Sequence, residues 1–356
     1  MAATKKPDAR TDQDNAFETP TRRRFLKYLA MLGVAGRQLL EAGLARATTD
    51  DAVEPPSAWP DLPRQTLGRT GFEASRLIFG CGAALSRGRN DALLDAAFEA
   101  GINVFDVGSR SFYNDAETNL APFLSRRRDE VFLISKAMVG LDVEPDEKIT
   151  SAQAREAAAT WTKRLDTSLS ELGVDHVDAY YLMASSNPSI VGADEILTAW
   201  ETAHKAGKAR YLGLSTHQNQ QRVLEKAMQT GKYSLAMIAV TPAGWYDWAN
   251  RGILDDGKSM TDLEPFLGRL RASGMGLVGM KAGRYLAGRR FIGWSNPSAF
   301  DEYYDSKVMA SDLSAFQRSY AYVLAHGMDV VNADMQSMAH LRENVIAAAS
   351  SSSLFA

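Results

Sequence analysis

Eight short apolar runs recur between residues 77 and 331, each parted from the next by a longer stretch of helical period. They are Leu77-Ile78-Phe79, Ile102-Asn103-Val104-Phe105, Val131-Phe132-Leu133-Ile134 and the run from Val177 to Leu182. Tyr211 to Leu214, Leu235 to Val240, Met275 to Gly279 and Asp329 to Val331 complete the series. Runs this short and this apolar suit strands buried on both faces. Between them, Asn90 can cap a helix that carries Leu93, Leu94, Ala97 and Phe98 on one face. The longest helix, residues 152–172, sets Trp161, Leu165 and Leu169 at four-residue spacing before Gly173, a core stripe with a glycine stop. Alternating strands and helices require a parallel sheet covered by helices, and eight repeats close it into a single-domain (β/α)8 barrel. An open doubly wound sheet would need a glycine-rich turn after its first strand. Gly80-Cys81-Gly82 lacks the third glycine of that turn.

The 356 residues and 45% hydrophobic content supply the core such a barrel needs, and a net charge of −3 gives no footprint for nucleic acid. Outside the amino terminus the longest basic run is Arg126-Arg127-Arg128, read as a solvated helix end. Residues 1–20 are polar and without period, and are read as disordered. Thr21-Arg22-Arg23-Arg24-Phe25-Leu26-Lys27 follows, then a mildly apolar stretch from Tyr28 to Gly36 and the small-residue site Ala45-Arg46-Ala47. That order is the plan of a secretory signal, and the paired arginines resemble a twin-arginine signal. Residues 1–47 are therefore expected to direct folded export through the twin-arginine translocase to the periplasm, with no permanent membrane span. Residues 48–63, with four acidic residues and four prolines, read as a linker, and residues 64–356 as the barrel. The lone Cys81 excludes an internal disulfide and reads as a buried thiol; no His or Cys pair falls at metal-ligand spacing.

In a (β/α)8 barrel, chemistry belongs to the carboxyl ends of the strands. Asp106 ends the second strand, Lys136 lies at the end of the third, and Tyr113 sits in the loop after Asp106, before a helix that Asn114 or Asp115 could cap. A carboxylate that holds an ammonium beside a phenol makes a proton-donor site, with the cation expected to lower the phenol pKa.

These residues bring the aldo-keto reductases into view. Leu67-Gly68-Arg69-Thr70-Gly71 resembles that family's amino-terminal hairpin, and Gly101 to Asp106 resembles its second strand. Tyr113 to Glu117, Leu165 to Asp178, Gly207 to Ser215 and Glu343-Asn344 follow in the family's order, so the resemblance spans roughly residues 65–349. It implies reduction of a carbonyl, or oxidation of an alcohol, with NADP(H), NAD(H) being the alternative. Asp106, Tyr113 and Lys136 then carry over as ion-pair partner, general acid and neighbouring cation. The interval from Asp106 to Tyr113 is two residues longer than the family's, which implies an insertion in that loop.

The resemblance is incomplete. Met183 stands where the family places a histidine that hydrogen-bonds the substrate carbonyl, and a thioether cannot donate. His217 is the one histidine expected to reach the mouth. Ser215 and Thr216 stand at the nicotinamide carboxamide positions, while Met237 and Val240 replace a glutamine and a stacking tyrosine. Lys281 and Arg284 are candidates for the pyrophosphate, and Ser337, Arg342, Glu343 and Asn344 for the adenosine end. Asp334 nearby suits a ribose hydroxyl better than a phosphate. Two functions follow: an exported oxidoreductase with an altered catalytic set, or a barrel that has lost hydride transfer and serves as a binding protein. Trp245 and Trp248 are expected to line the mouth, and Trp294, Tyr303 and Tyr304 to form a lid or simply pack.

Overall fold

The computed structural model describes residues 54–254, 258–287 and 295–355. The twin-arginine segment, the first part of the linker and Trp294 lie outside the described residues. Eight parallel strands form the sheet: β1 (Leu77–Gly80), β2 (Val104–Asp106), β3 (Phe132–Ala137), β4 (Val177–Leu182), β5 (Ala209–Thr216), β6 (Tyr233–Thr241), β7 (Gly276–Met280) and β8 (Val330–Asp334). Each pairs with the next, and β8 returns to β1 through Asp334 opposite Gly80, so the barrel is closed as expected. Helices follow the strands in turn: α1 (Asp91–Glu99), α2 (Ala116–Arg127), α3 (Ser151–Leu172), α4 (Asp194–Lys205), α5 (Gln220–Thr230), α6 (Met260–Ala272), α7 (Ala315–Ala325) and α8 (Met338–Leu354).

The strand period of two sorts the core into two clusters. On β6, Leu235, Met237 and Ala239 point into the barrel, whereas Ala236, Ile238 and Val240 meet the helices. Trp161, Leu165 and Leu169 of α3 are buried in the outer layer, and Gly173 ends that helix at φ +65°. Asn90 caps α1 by accepting from Leu93 N. Trp59, inside the expected linker, also packs into the outer layer.

The bottom of the barrel is plugged by the hairpin of strands Arg64–Thr66 and Glu73–Ser75, which inserts Leu67 and Ala74 into the interior cluster. Gly68 lies at φ +53°, and a Cβ there would fall 2.2 Å from Gly276 N, so the close approach requires glycine.

The top carries a feature the apolar pattern does not reveal. After β6 the chain reverses at Gly244 (φ +101°), and strand Gly244–Asp247 runs back antiparallel, pairing Trp245 with Val240. This hairpin folds Tyr246 and Trp248 into the barrel mouth, where both join the interior cluster. Trp245 does not line the mouth. It faces the outer layer, its ring 6.2 Å from that of Phe266 on α6, because neighbouring strand residues face opposite ways.

Candidate active site

Register brings the chemistry to one level. Gly80 of β1 lies opposite Asp106 of β2, and Lys136 of β3 lies opposite Tyr181 of β4. Lys136 Nζ donates to Asp106 Oδ1 and Oδ2 at 2.6 Å each and to the Val107 carbonyl at 2.7 Å. Both side chains are about 5% exposed. Burial pushes the Asp106 carboxyl up, and the Lys136 charge opposes that rise. A charge pair this deep is held only when its remaining hydrogen bonds are met. Asn332 of β8 meets one: its Nδ2 donates to Asp106 Oδ2 at 2.6 Å and lies 3.5 Å from Met237 Sδ. Asn332 was not among the candidates, although a lone amide in the run Val330-Val331-Asn332-Ala333 marks the position.

Tyr113 completes the group. It ends the short helix Arg110–Tyr113, and Lys136 Nζ lies 5.3 Å from the centre of its ring. The ring is clamped between two glycines. A Cβ on Gly82 would fall 2.3 Å from Tyr113 Cε1, and one on Gly108 would fall 2.9 Å from Cδ2. The expected lowering of the phenol pKa is not found. Burial first, then the carboxylates of Asp106 and Asp334, hold it well above the ordinary range. Lys136 is spent on Asp106, so the phenol keeps its proton at neutral pH and is a donor. The cap also differs from expectation: Asp115 precedes α2, but its side chain bonds Arg110 and caps no backbone amide.

Met183 is the residue that the family resemblance sets at the position of a histidine. Met183, just beyond β4, is 5% exposed and its amide donates to the Ala137 carbonyl. His217 follows β5, its ring centre 6.2 Å from that of Trp248. Burial, then the charges of Lys281 and Lys136, push it down to about 3, so it is neutral and can donate one N–H. Lys281, at φ +67°, has Nζ 4.5 Å above the Trp248 ring, and the Arg284 guanidinium lies 5.9 Å from the same ring. Trp248 itself is fixed by the turn around Asp247, whose carboxylate accepts from the amides of Ala249 and Asn250.

The remaining candidates divide. Ser215 and Thr216 end β5 at the mouth; Ser215 Oγ accepts from Ala184 N, and Thr216 Oγ1 donates to the Gln218 carbonyl. Ser337 caps α8 by accepting from His340 N, and Asp334 is exposed beside it in sequence. The other three residues of α8 are drawn elsewhere: Arg342 reaches Glu54 at 3.3 Å, Glu343 accepts from Ser314 at 2.7 Å, and Asn344 donates to the His340 carbonyl. Tyr303 and Tyr304 pack against the core, Tyr304 edge-on to Tyr322. Cys81 is fully buried at the start of the short helix Cys81–Leu85, and its thiol is pushed up by burial. Among the described residues no His, Cys, Asp or Glu group of three could hold a metal, and no helix is long and apolar enough to cross a membrane.

Comparison with known proteins agrees with this architecture. The profile of the Aldo/keto reductase family matches residues 77–254, from β1 through the mouth hairpin. "Probable aldo-keto reductase 1" of Glycine max is 29% identical over 160 residues, 42% of this chain and 43% of its own. The NADP(+) aldo-keto reductase yakc of Schizosaccharomyces pombe is 30% identical over 128 residues, 35% of this chain and 36% of its own. The chain thus spans less than half the length of these curated relatives. An aldo-keto reductase from Klebsiella pneumoniae, solved in complex with NADPH, superposes with a TM-score of 0.56 at 18% identity, covering 81% of this chain and 90% of that one. On the strength of the family profile and the closed barrel, this chain belongs to the aldo/keto reductase family.

Proposed function

We propose that the protein is a nicotinamide-dependent oxidoreductase that reduces a carbonyl or oxidises an alcohol at the mouth of the barrel. The observation that carries this reading is the buried Asp106–Lys136 pair with the clamped, protonated Tyr113 beside it. A barrel retained for binding alone has no use for an ammonium held at that depth against its desolvation cost.

The donor set at the mouth fits a dinucleotide. Ser215 and Thr216 carry hydroxyls at the end of β5, and the N-terminus of the long helix α8 opens at Ser337, a setting that suits phosphate. The exposed Asp334 suits a ribose hydroxyl, and Arg342 is turned to Glu54. NADP(H) is the cofactor proposed from the family, with NAD(H) as its competitor. When bound, the nicotinamide supplies or accepts the hydride.

The chain's own residues do the rest. Tyr113 passes its phenolic proton to the substrate oxygen, or takes it back in the oxidative direction. Asp106, itself held by Asn332, fixes the Lys136 side chain beside that ring. Neutral His217 is the donor nearest in kind to the absent histidine, and Met183 contributes only apolar surface.

Export completes the proposal: the arginine pair Arg22-Arg23 sends the folded protein to the periplasm through the twin-arginine translocase. A non-catalytic binding role is the second reading, favoured by Met183 and by Trp248 filling the mouth. The test is oxidation of NADPH against a panel of aldehydes and ketones, with Tyr113→Phe as control. Turnover by the wild type, lost in the variant, supports the oxidoreductase. A folded, cofactor-binding protein that turns over nothing would leave the binding role.

A further inference from the structure

We infer that Arg164 of α3 is a positioning residue: through Ser111 it fixes the loop that sets Tyr113 beside the Asp106–Lys136 pair. This rests on the oxidoreductase reading and adds a residue to the machinery of its acid. The interval from Asp106 to Tyr113 is two residues longer than the family's, and each added residue gives the loop more freedom to lose. A general acid needs the opposite, since a displacement of about 1 Å can cost about a hundredfold in rate. The anchorage is direct. Arg164 Nη1 donates to Ser111 Oγ at 2.8 Å, and Ser111 Oγ lies 3.0 Å from Ser109 Oγ. Ser109 is buried, and its amide donates to the Lys136 carbonyl at 2.9 Å. Its own carbonyl accepts from the amides of Phe112 and Tyr113 at 2.9 and 3.1 Å. One line of hydrogen bonds thus runs from α3 through the loop to the backbone of the catalytic lysine, with Tyr113 hung from its middle.

The chemistry of Arg164 sets it apart from an ordinary structural arginine. It is half-buried, and burial pushes its pKa down. The titratable group it feels is the Tyr180 phenol of β4, which burial keeps protonated. Among the described residues no carboxylate pairs with it, and the Ser111 hydroxyl is its one hydrogen-bond partner. A guanidinium placed for stability takes a carboxylate in its fork; this one is turned to a hydroxyl of the catalytic loop. Two turns further along the same face of α3, Glu171 accepts from Arg110 Nε at 2.6 Å, a second anchor on the same loop. The Arg110 side chain is 52% exposed, so water screens that pair and Arg164 is the firmer hold.

The full chain is compared as wild type, Arg164→Met, Arg164→Lys and Ser111→Ala, and each again with Tyr113→Phe. Two quantities are measured: hydrogen exchange of the amides from 107 to 115, and turnover with NADPH of the fastest aldehyde or ketone of the panel. In Arg164→Met and Ser111→Ala the loop amides should exchange at least about tenfold faster, with the urea midpoint little changed. The kcat should fall about ten- to a hundredfold while KM stays nearly constant. Arg164→Lys, which keeps a cationic donor, should recover part of the loss. The two changes combined should be no worse than either alone, because they break one contact. With Tyr113→Phe neither should lower the residual rate, since the acid they position is gone. Unaltered loop exchange, unaltered kcat, or an equal fall in kcat with Tyr113→Phe would each overturn the inference and leave the oxidoreductase reading standing. If Arg164→Met does not fold, Ser111→Ala carries the same comparison. A wild type that turns over no carbonyl would remove the oxidoreductase reading, and loop exchange alone would then decide whether Arg164 holds Tyr113.

Discussion

Asn332 of β8 and Lys136 of β3, on strands to either side of β2, hold the same carboxylate: each donates to Asp106 at 2.6 Å. Asp106 is therefore positioned from two strands besides its own, and the ammonium it fixes cannot wander from the Tyr113 ring. The relationship explains why the charges are tolerated so deep: each polar atom of the pair is spoken for by a neighbour.

Removing the cation should be costly for the fold. Lys136→Met leaves Asp106 buried with Asn332 as its remaining side-chain partner and is expected to lower stability by about 3–5 kcal/mol. Urea denaturation of Lys136→Met, and of its combination with Asp106→Asn, checks this. The double variant should be more stable than Lys136→Met alone, since it no longer carries the orphan charge.

The glycine clamp on Tyr113 predicts a separation of activity from stability. Gly82→Ala puts a methyl where the Tyr113 ring now stands, 2.3 Å from Cε1. The ring must move, while the barrel strands need not. Thermal unfolding should report a loss of about 1–3 kcal/mol. Turnover should drop much further, toward that of Tyr113→Phe, whose loss of the acid is expected to cost about a hundred- to ten-thousandfold. Equal turnover in Gly82→Ala and wild type would mean the clamp does not set the acid.

Glu117 gives the pH prediction. It lies on α2, fully buried behind β3, and its Oε1 accepts from Ser135 Oγ at 2.6 Å, one residue before Lys136. Burial pushes its carboxyl up to about 7. A raised acid binds its proton more tightly when folded than when unfolded. It stabilises the fold fully below the unfolded value near 4.5, and that contribution is lost as pH rises to about 7. The loss is of the order of 3 kcal/mol between those limits. Glu117→Gln, neutral throughout, should flatten stability across this window when unfolding is followed from pH 5 to pH 8.

Much of this was legible in the sequence because strands buried on both faces announce themselves as apolar runs. The eight runs became eight barrel strands, and Asp106 and Lys136 met because strand ends in a closed barrel share one rim. What stayed hidden depends on tertiary placement. The pairing of Trp245 with Val240 follows from a reversal at Gly244 and has no period of its own to read. Asn332 looks like one polar interruption in an apolar strand until register sets it beside Asp106. The phenol was expected to feel the lysine charge, but charge effects depend on where the counter-ion sits, and Asp106 lies against Lys136. Arg342, Glu343 and Asn344 stand at the expected place on α8, yet their side chains serve neighbouring segments.

Titration of the full chain with NADPH and with NADH, following the quenching of tryptophan fluorescence, tests the central claim most directly. Trp248 at the mouth should report binding of at least one cofactor in the micromolar range, about −8 kcal/mol. A folded protein that binds neither nicotinamide at millimolar concentration would contradict the oxidoreductase account and leave a binding role for the barrel.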